Sequence, residues 1–198
     1  MEKLMFLSKK RFITCSALSF GMLIFTQPLF AQQFTPPEQI TQSGHVYKLA
    51  YKQVAPNGNA IYEYTTNEEP VEKWTTLITL NYNRSIKIDP LKWTTAMKTA
   101  MDASMPKNNS KSYISGNIVY ARFILEPDIK NPAYESNIHK IFHLGECGGL
   151  LVYQYAVKYP QSTNQTESGK LATLTSINKE LDSLSADVEH SEWSPVCN

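Results

Sequence analysis

The sequence predicts an α+β domain: a mainly antiparallel sheet of about six strands with two amphipathic helices packed on it, in the order strand-strand-strand-helix-strand-strand-strand-helix. Three observations predict it. Short runs rich in Tyr, Val and Ile are bounded by Pro, Asn and Gly. Two longer segments repeat apolar residues at intervals of three and four. The strands come in consecutive runs instead of alternating one by one with helices, which favours antiparallel pairing.

The first strands are Val46 to Val54 and Ala60 to Thr65, separated by Pro56-Asn57-Gly58-Asn59, whose Asn-Gly step suits a tight reversal. Asn67-Glu68-Glu69-Pro70 breaks the second strand, Val71 to Trp74 can form one helical turn, and Thr75 to Asn83 is a third strand. Asp89 can cap a helix that opens with Pro90, because Pro has no N–H to leave unbonded in the first turn. Trp93, Met97, Ala100 and Met101 then share one helical face, so the helix runs from Pro90 to about Ser104.

Met105 to Lys111 reads as a polar loop. Tyr113 to Leu125, Ile138 to Leu144 and Leu150 to Tyr159 read as three more strands, broken by Pro127, Pro132 and the Gly145 to Gly149 turn. Leu171, Leu174, Ile177, Leu181, Leu184 and Val188 form the apolar stripe of the second helix, after the polar stretch Gln161 to Gly169.

The first thirty-one residues set the compartment. Lys3, Lys9, Lys10 and Arg11 precede the apolar run Phe12 to Phe25, and the segment closes at Leu29-Phe30-Ala31, the three parts of a cleavable signal peptide. The apolar run is too short for a stable membrane-spanning helix, which takes roughly 20 residues. Cys15 lies inside the run and does not mark a lipoprotein cleavage site. The mature chain begins near Gln32, with residues 32–44 a flexible leader and 45–198 a single domain, located in the periplasm or secreted and not embedded in a membrane.

The chain carries 19 basic and 18 acidic residues; the signal holds four and one of them, which leaves 15 and 17. The mature protein thus has no basic excess to neutralise phosphates, and nucleic acid is excluded as a partner. Signal removal takes Cys15 away, so Cys147 and Cys197 are the thiols of an exported protein and are expected to form a disulfide.

His139, His143, Glu146 and Cys147 are zinc-ligand types in one stretch. On a strand, however, the two histidines stand roughly 13 Å apart, too far to share an ion. The serine-nucleophile motif Gly-x-Ser-x-Gly is absent from the sequence, as is His-Glu-x-x-His. Glu63, Glu126 and Glu146 are far apart along the chain. No catalytic, cofactor or metal residue is assigned.

Tyrosines number 11, all in the mature chain. Tyr62 with Tyr64, and Tyr153 with Tyr155 and Tyr159, fall at strand spacing on shared faces. They are read either as a protein-interaction surface or as packing beneath a helix, since the phenol ring is large and apolar with a polar tip.

The stretch Glu63-Tyr64 through Glu72-Lys73-Trp74-Thr75-Thr76-Leu77-Ile78-Thr79 resembles a segment of small exported proteins of Gram-negative bacteria. The strand and helix order is similar to the sandwich of PsbP-like and DcrB-like domains. That resemblance implies an accessory or binding module and carries over no functional residue. The function expected is therefore binding without catalysis: a periplasmic neutraliser, in the manner of immunity proteins, of a toxin or cell-wall hydrolase, with another protein as partner. A secreted hydrolase would instead predict a cleft near His139, His143 and Glu146, and an envelope-assembly accessory protein a broad apolar patch.

Overall fold

Two four-stranded antiparallel meanders meet at their last strands to make one sheet. In the computed structural model, which describes residues 33–66, 68–104, 110–161 and 166–198, the first meander is β2 (Gln39–Gln42), β3 (His45–Val54), β4 (Ala60–Thr65) and β5 (Thr76–Asn83). The second is β6 (Lys111–Ser115), β7 (Ile118–Leu125), β8 (Tyr134–His143) and β9 (Leu150–Tyr159). Their order across the sheet is β2-β3-β4-β5-β9-β8-β7-β6, every neighbour antiparallel. Helix α1 (Pro90–Ser104) links the meanders, α2 (Glu167–His190) follows β9, and a separate pair joins β1 (Phe34–Thr35) to β10 (Val196–Cys197). The α+β class and mainly antiparallel sheet with two helices are as the sequence predicts.

Both helices begin where side chains can satisfy their first amide groups. The Asp89 Oδ1 accepts from the Leu91 and Lys92 amides at 3.0 and 3.1 Å, and Thr166 Oγ1 accepts from Gly169 N at 3.2 Å. Both pack against β7 and β8. They do so from opposite faces: α2 buries Ile177, Leu181 and Val188 in a core with Ile138 and Phe142, while Trp93 of α1 meets Val119, Ile141, Leu150 and Val152.

The sheet has eight strands instead of about six, for two reasons. Tyr113 to Leu125 is two strands, because Gly116 takes φ +61° and reverses the chain in a two-residue turn that pairs Ser115 with Ile118. The other reason is the leader. Residues 32–44 were expected to lack regular structure, yet they hold β1 and β2, with Phe34 and Ile40 buried in the core. Strands of two and four residues are too short to display a period-two pattern, so their only sequence trace is one apolar anchor each. Strand β8 also starts four residues earlier than its apolar run. Ser136 and Asn137 are polar but buried, since β8 is covered on both faces.

Cys147 and Cys197 are bonded, with their Cα atoms 5.5 Å apart. The bond holds β10 against the body, and β10 in turn pairs with β1, so both ends of the domain depend on it. The expected signal peptide lies outside the described residues. Among the described residues no helix is long and apolar enough to cross a membrane.

Closing a loop of 50 residues restricts the unfolded chain, so Cys147→Ser with Cys197→Ser should lower the urea-unfolding free energy by about 4 kcal/mol. Amide exchange should speed up first in β1 and β10; an unchanged midpoint would show that the crosslink is energetically idle.

Candidate functional site

The tyrosine pattern resolves into a core. Relative exposures of Tyr62, Tyr64, Tyr153 and Tyr155 are 5%, 0%, 1% and 3%, and Tyr159 is partly buried against the same cluster. These residues share a face as their spacing predicts, but the face points inward, so they do not form an interaction surface. A buried phenol needs a hydrogen-bond partner, and here the partners come from the leader, from the loop before β9 and from side chains of the sheet. Tyr64 donates to the Pro37 carbonyl at 3.0 Å and Tyr153 to Gln42 Oε1 at 2.9 Å. Tyr82 donates to the carbonyls of Cys147 and Gly148, and Tyr47 to Thr76 Oγ1. Burial raises the hydroxyl pKa of Tyr64, Tyr153 and Tyr155 well above the usual phenol range, and that of Tyr159 to about 12, so all stay protonated donors.

The zinc-type residues are not gathered. His139 is buried under α1, His143 and Glu146 are exposed, and the Cys147 sulfur is bonded to Cys197. A hollow of about 890 Å³ does bring Ser43, Asp187 and His190 to one rim. The Ser43 hydroxyl donates to Asp187 at 3.2 Å, while His190 Nδ1 lies 2.7 Å from the Ala186 carbonyl at the end of α2. The serine is therefore tied to the carboxylate instead of being held by an imidazole, and the contact fastens the β2–β3 turn to α2.

On the α1 side the two halves of the sheet differ. Beneath α1 the surface is buried, whereas β3 is exposed at every residue except Tyr47. On this side Val46, Tyr51 and Ile61 are large apolar side chains left in solvent on β3 and β4, Tyr51 at 43% exposure, while the exposed Leu49 and Val54 pair with Tyr64 and Ala60 and stand on the tyrosine face. Two hollows flank this area. One of about 320 Å³ is lined by Gln53, Asn59, Ile61, Asn81 and Asn83. The other, of about 760 Å³, is lined by Lys48, Tyr51, Glu63, Glu68, Glu69 and Glu72. Partial burial, with the charge of Glu72 second, raises the Glu63 carboxyl pKa.

A polar row crosses from the open half to the covered half. Glu63, Thr79, Gln154 and His139 are register partners on β4, β5, β9 and β8, spanning about 14 Å at the usual strand spacing. More apolar rows border it, Ile61-Asn81-Val152-Ile141 on one side and Thr65-Leu77-Ala156-Asn137 on the other. The Gln154 amide donates to Asn137 Oδ1. At its buried end, among the described residues, neither ring nitrogen of His139 has a protein partner, nor do Asn137 Nδ2 and Thr94 Oγ1. The imidazole packs edge-on against Phe123, with ring centres 5.0 Å apart, and desolvation lowers its pKa to about 4. The sequence singles out His139 but cannot join it to Gln154, because strand register is a tertiary property.

A model of an uncharacterised bacterial protein family matches residues 34–193. No curated protein and no solved structure matches the chain.

His139 is neutral when folded but titrates near 6.5 when unfolded, so its contribution is complete above pH 6.5 and is lost as pH falls toward 4. Between about pH 7.5 and about pH 4 the wild-type chain should lose on the order of 3 kcal/mol more stability than His139→Leu. Parallel urea-unfolding curves at both pH values would refute the neutral buried imidazole.

Proposed function

The chain belongs to that bacterial family, and from this premise we propose that it is an exported, non-catalytic binding protein that neutralises a toxin or a cell-wall hydrolase by docking on it, in the manner of an immunity protein. The observation that carries this reading is the open β3–β4 surface. Tyr51 and Ile61 are diagonal neighbours on its uncovered side, with Val46 farther along β3, while the opposite face of the same strands carries the buried Tyr62 and Tyr64. Scattered apolar residues on a surface need no explanation, but Tyr51 and Ile61 side by side on an uncovered sheet face are characteristic of an interaction site. Tyr51 is the residue type most at home in such an interface, with a broad apolar ring and a hydroxyl that here meets Gln53.

Other features support the same reading. The signal-like leader Met1 to Ala31 and the bonded cysteines fit a protein that works in the periplasm or beyond the cell. The near-neutral charge of the mature chain leaves an apolar and polar protein surface as the natural partner. The similarity of element order to PsbP-like and DcrB-like domains adds binding modules as precedent.

The test is a pull-down with the protein exported by its own leader and recovered with its disulfide formed, against envelope and secreted fractions. Wild type should retain one stoichiometric protein. Tyr51→Glu and Ile61→Asp should each weaken that capture by about tenfold, since each places a charge in a desolvated contact, with little change in thermal midpoint. Equal capture by both variants, or recovery of no protein, ends this reading.

A further inference from the structure

We infer that the outer edge of β3 from Ala50 to Val54 is a docking site for an extended, basic segment of a partner protein, which joins the sheet as an additional strand. This rests on the protein-binding reading above and specifies its place and mode. Strand β2 ends the sheet and pairs only with His45–Lys48 of β3. The last link beyond that ladder is the Leu49 amide to the Glu38 carbonyl, at 3.0 Å. Pro36 and Pro37 come next; without N–H groups they cannot extend the ladder, and the chain turns off toward β1. Strand β3 continues past this point to Val54, exposed at each residue, and among the described residues no strand pairs with its outer side there.

A free edge of five residues is about 17 Å of strand template, enough for a short extended peptide to pair along it. The chemistry beside it selects the charge of that peptide. The hollow of about 760 Å³ opens along Lys48 to Tyr51 and, among the described residues, is lined by four glutamates and one basic residue, Lys48. Glu69 is engaged by the Thr75 amide and hydroxyl at 3.1 and 3.0 Å, which leaves Glu63, Glu68 and Glu72 to face an incoming group. Lys or Arg side chains on the docking strand would offset three carboxylates there. On the opposite face of the edge Val54 offers an apolar contact for β-branched residues, while Tyr51 stands on the glutamate side as register partner of Glu63.

A second copy of this chain fits the edge poorly. A twofold pairing centred on the free segment sets Lys52 against its own copy, and the bulge between Leu49 and Tyr51 breaks a continuous flat ladder. These features oppose self-association while leaving the edge open to a strand of complementary charge.

The probe is a capped peptide of about eight residues alternating Lys and Val, with the Glu-Val peptide as control, added to the full disulfide-bonded protein and followed by amide NMR. The cationic peptide should bind saturably, shift resonances of β3 and of residues 63 to 72, and slow exchange of the Lys52 to Val54 amides by about tenfold or more. The double variant Glu68→Lys with Glu72→Lys, both at exposed positions, should weaken binding by about tenfold through charge reversal. Equal binding of the two peptides, no saturable binding, or binding without protection of the Lys52 to Val54 amides would overturn the edge site. A partner captured equally well by the Glu68→Lys, Glu72→Lys protein would also overturn it while leaving the protein-binding reading intact. Failure to capture any partner strikes that reading instead.

Discussion

Burying a face of tyrosines obliges the protein to supply a hydrogen-bond partner for every phenol, and much of the architecture follows from that obligation. An unpaired hydroxyl in a dry core costs on the order of 1–3 kcal/mol. The sheet backbone cannot supply these partners, because its amides and carbonyls are committed to the ladder, and only side chains such as Thr76 do so from within it. Peripheral segments do so instead: Pro37 of the leader, Gln42 of the first hairpin, and Cys147 with Gly148 of the loop before β9. The hydroxyls thereby fasten to the core the stretches that have least regular structure of their own. The disulfide completes the arrangement by holding β10, against which β1 pairs.

Both helices lie on the second meander, where β7 and β8 are enclosed from two sides. The first meander receives cover on one face only, from its aromatic packing and the leader, and so its other face and its outer edge stay in solvent. The division is physical before it is functional: two helices cannot cover both faces of eight strands. The uncovered region is where side chains such as Tyr51 and Ile61 stand free of the demands of core packing.

The polar row shows a different compromise. Placing His139, Asn137 and Thr94 between sheet and helix leaves four polar atoms without partners among the described residues in an otherwise apolar layer. The small cluster around Trp93 must hold α1 down over that layer. A neutral imidazole is tolerated there, and a charged one is not, so this end of the domain is its acid-sensitive part. The opposite end of the row, at Glu63, reaches the acidic hollow beside the free edge, and the sheet connects a buried polar spot to an exposed one through Gln154 and Thr79.

Local signals in the sequence determined much of this protein. Period-two runs gave the longer strands, the three-and-four spacing gave both helices, Asp89 marked the start of α1, and Cys147 with Cys197 gave the crosslink. Those features depend on neighbours a few residues apart, or on the count of a reactive residue type, and so they can be read without the fold. Register, sidedness and cover belong to the tertiary structure. Tyr62 and Tyr153 have the same strand pattern whether their face meets water or a core, and only the packing of Phe34, Ile40 and α2 decides that it is a core. Likewise Glu63, Thr79, Gln154 and His139 lie far apart in the chain, and pairing of four strands makes them a row. Strands β1 and β2 are too short to carry a period at all; long-range pairing with β10 and β3, together with two buried side chains, defines them. The free edge of β3 is the clearest case, since an edge exists only by reference to the strands that are not beside it.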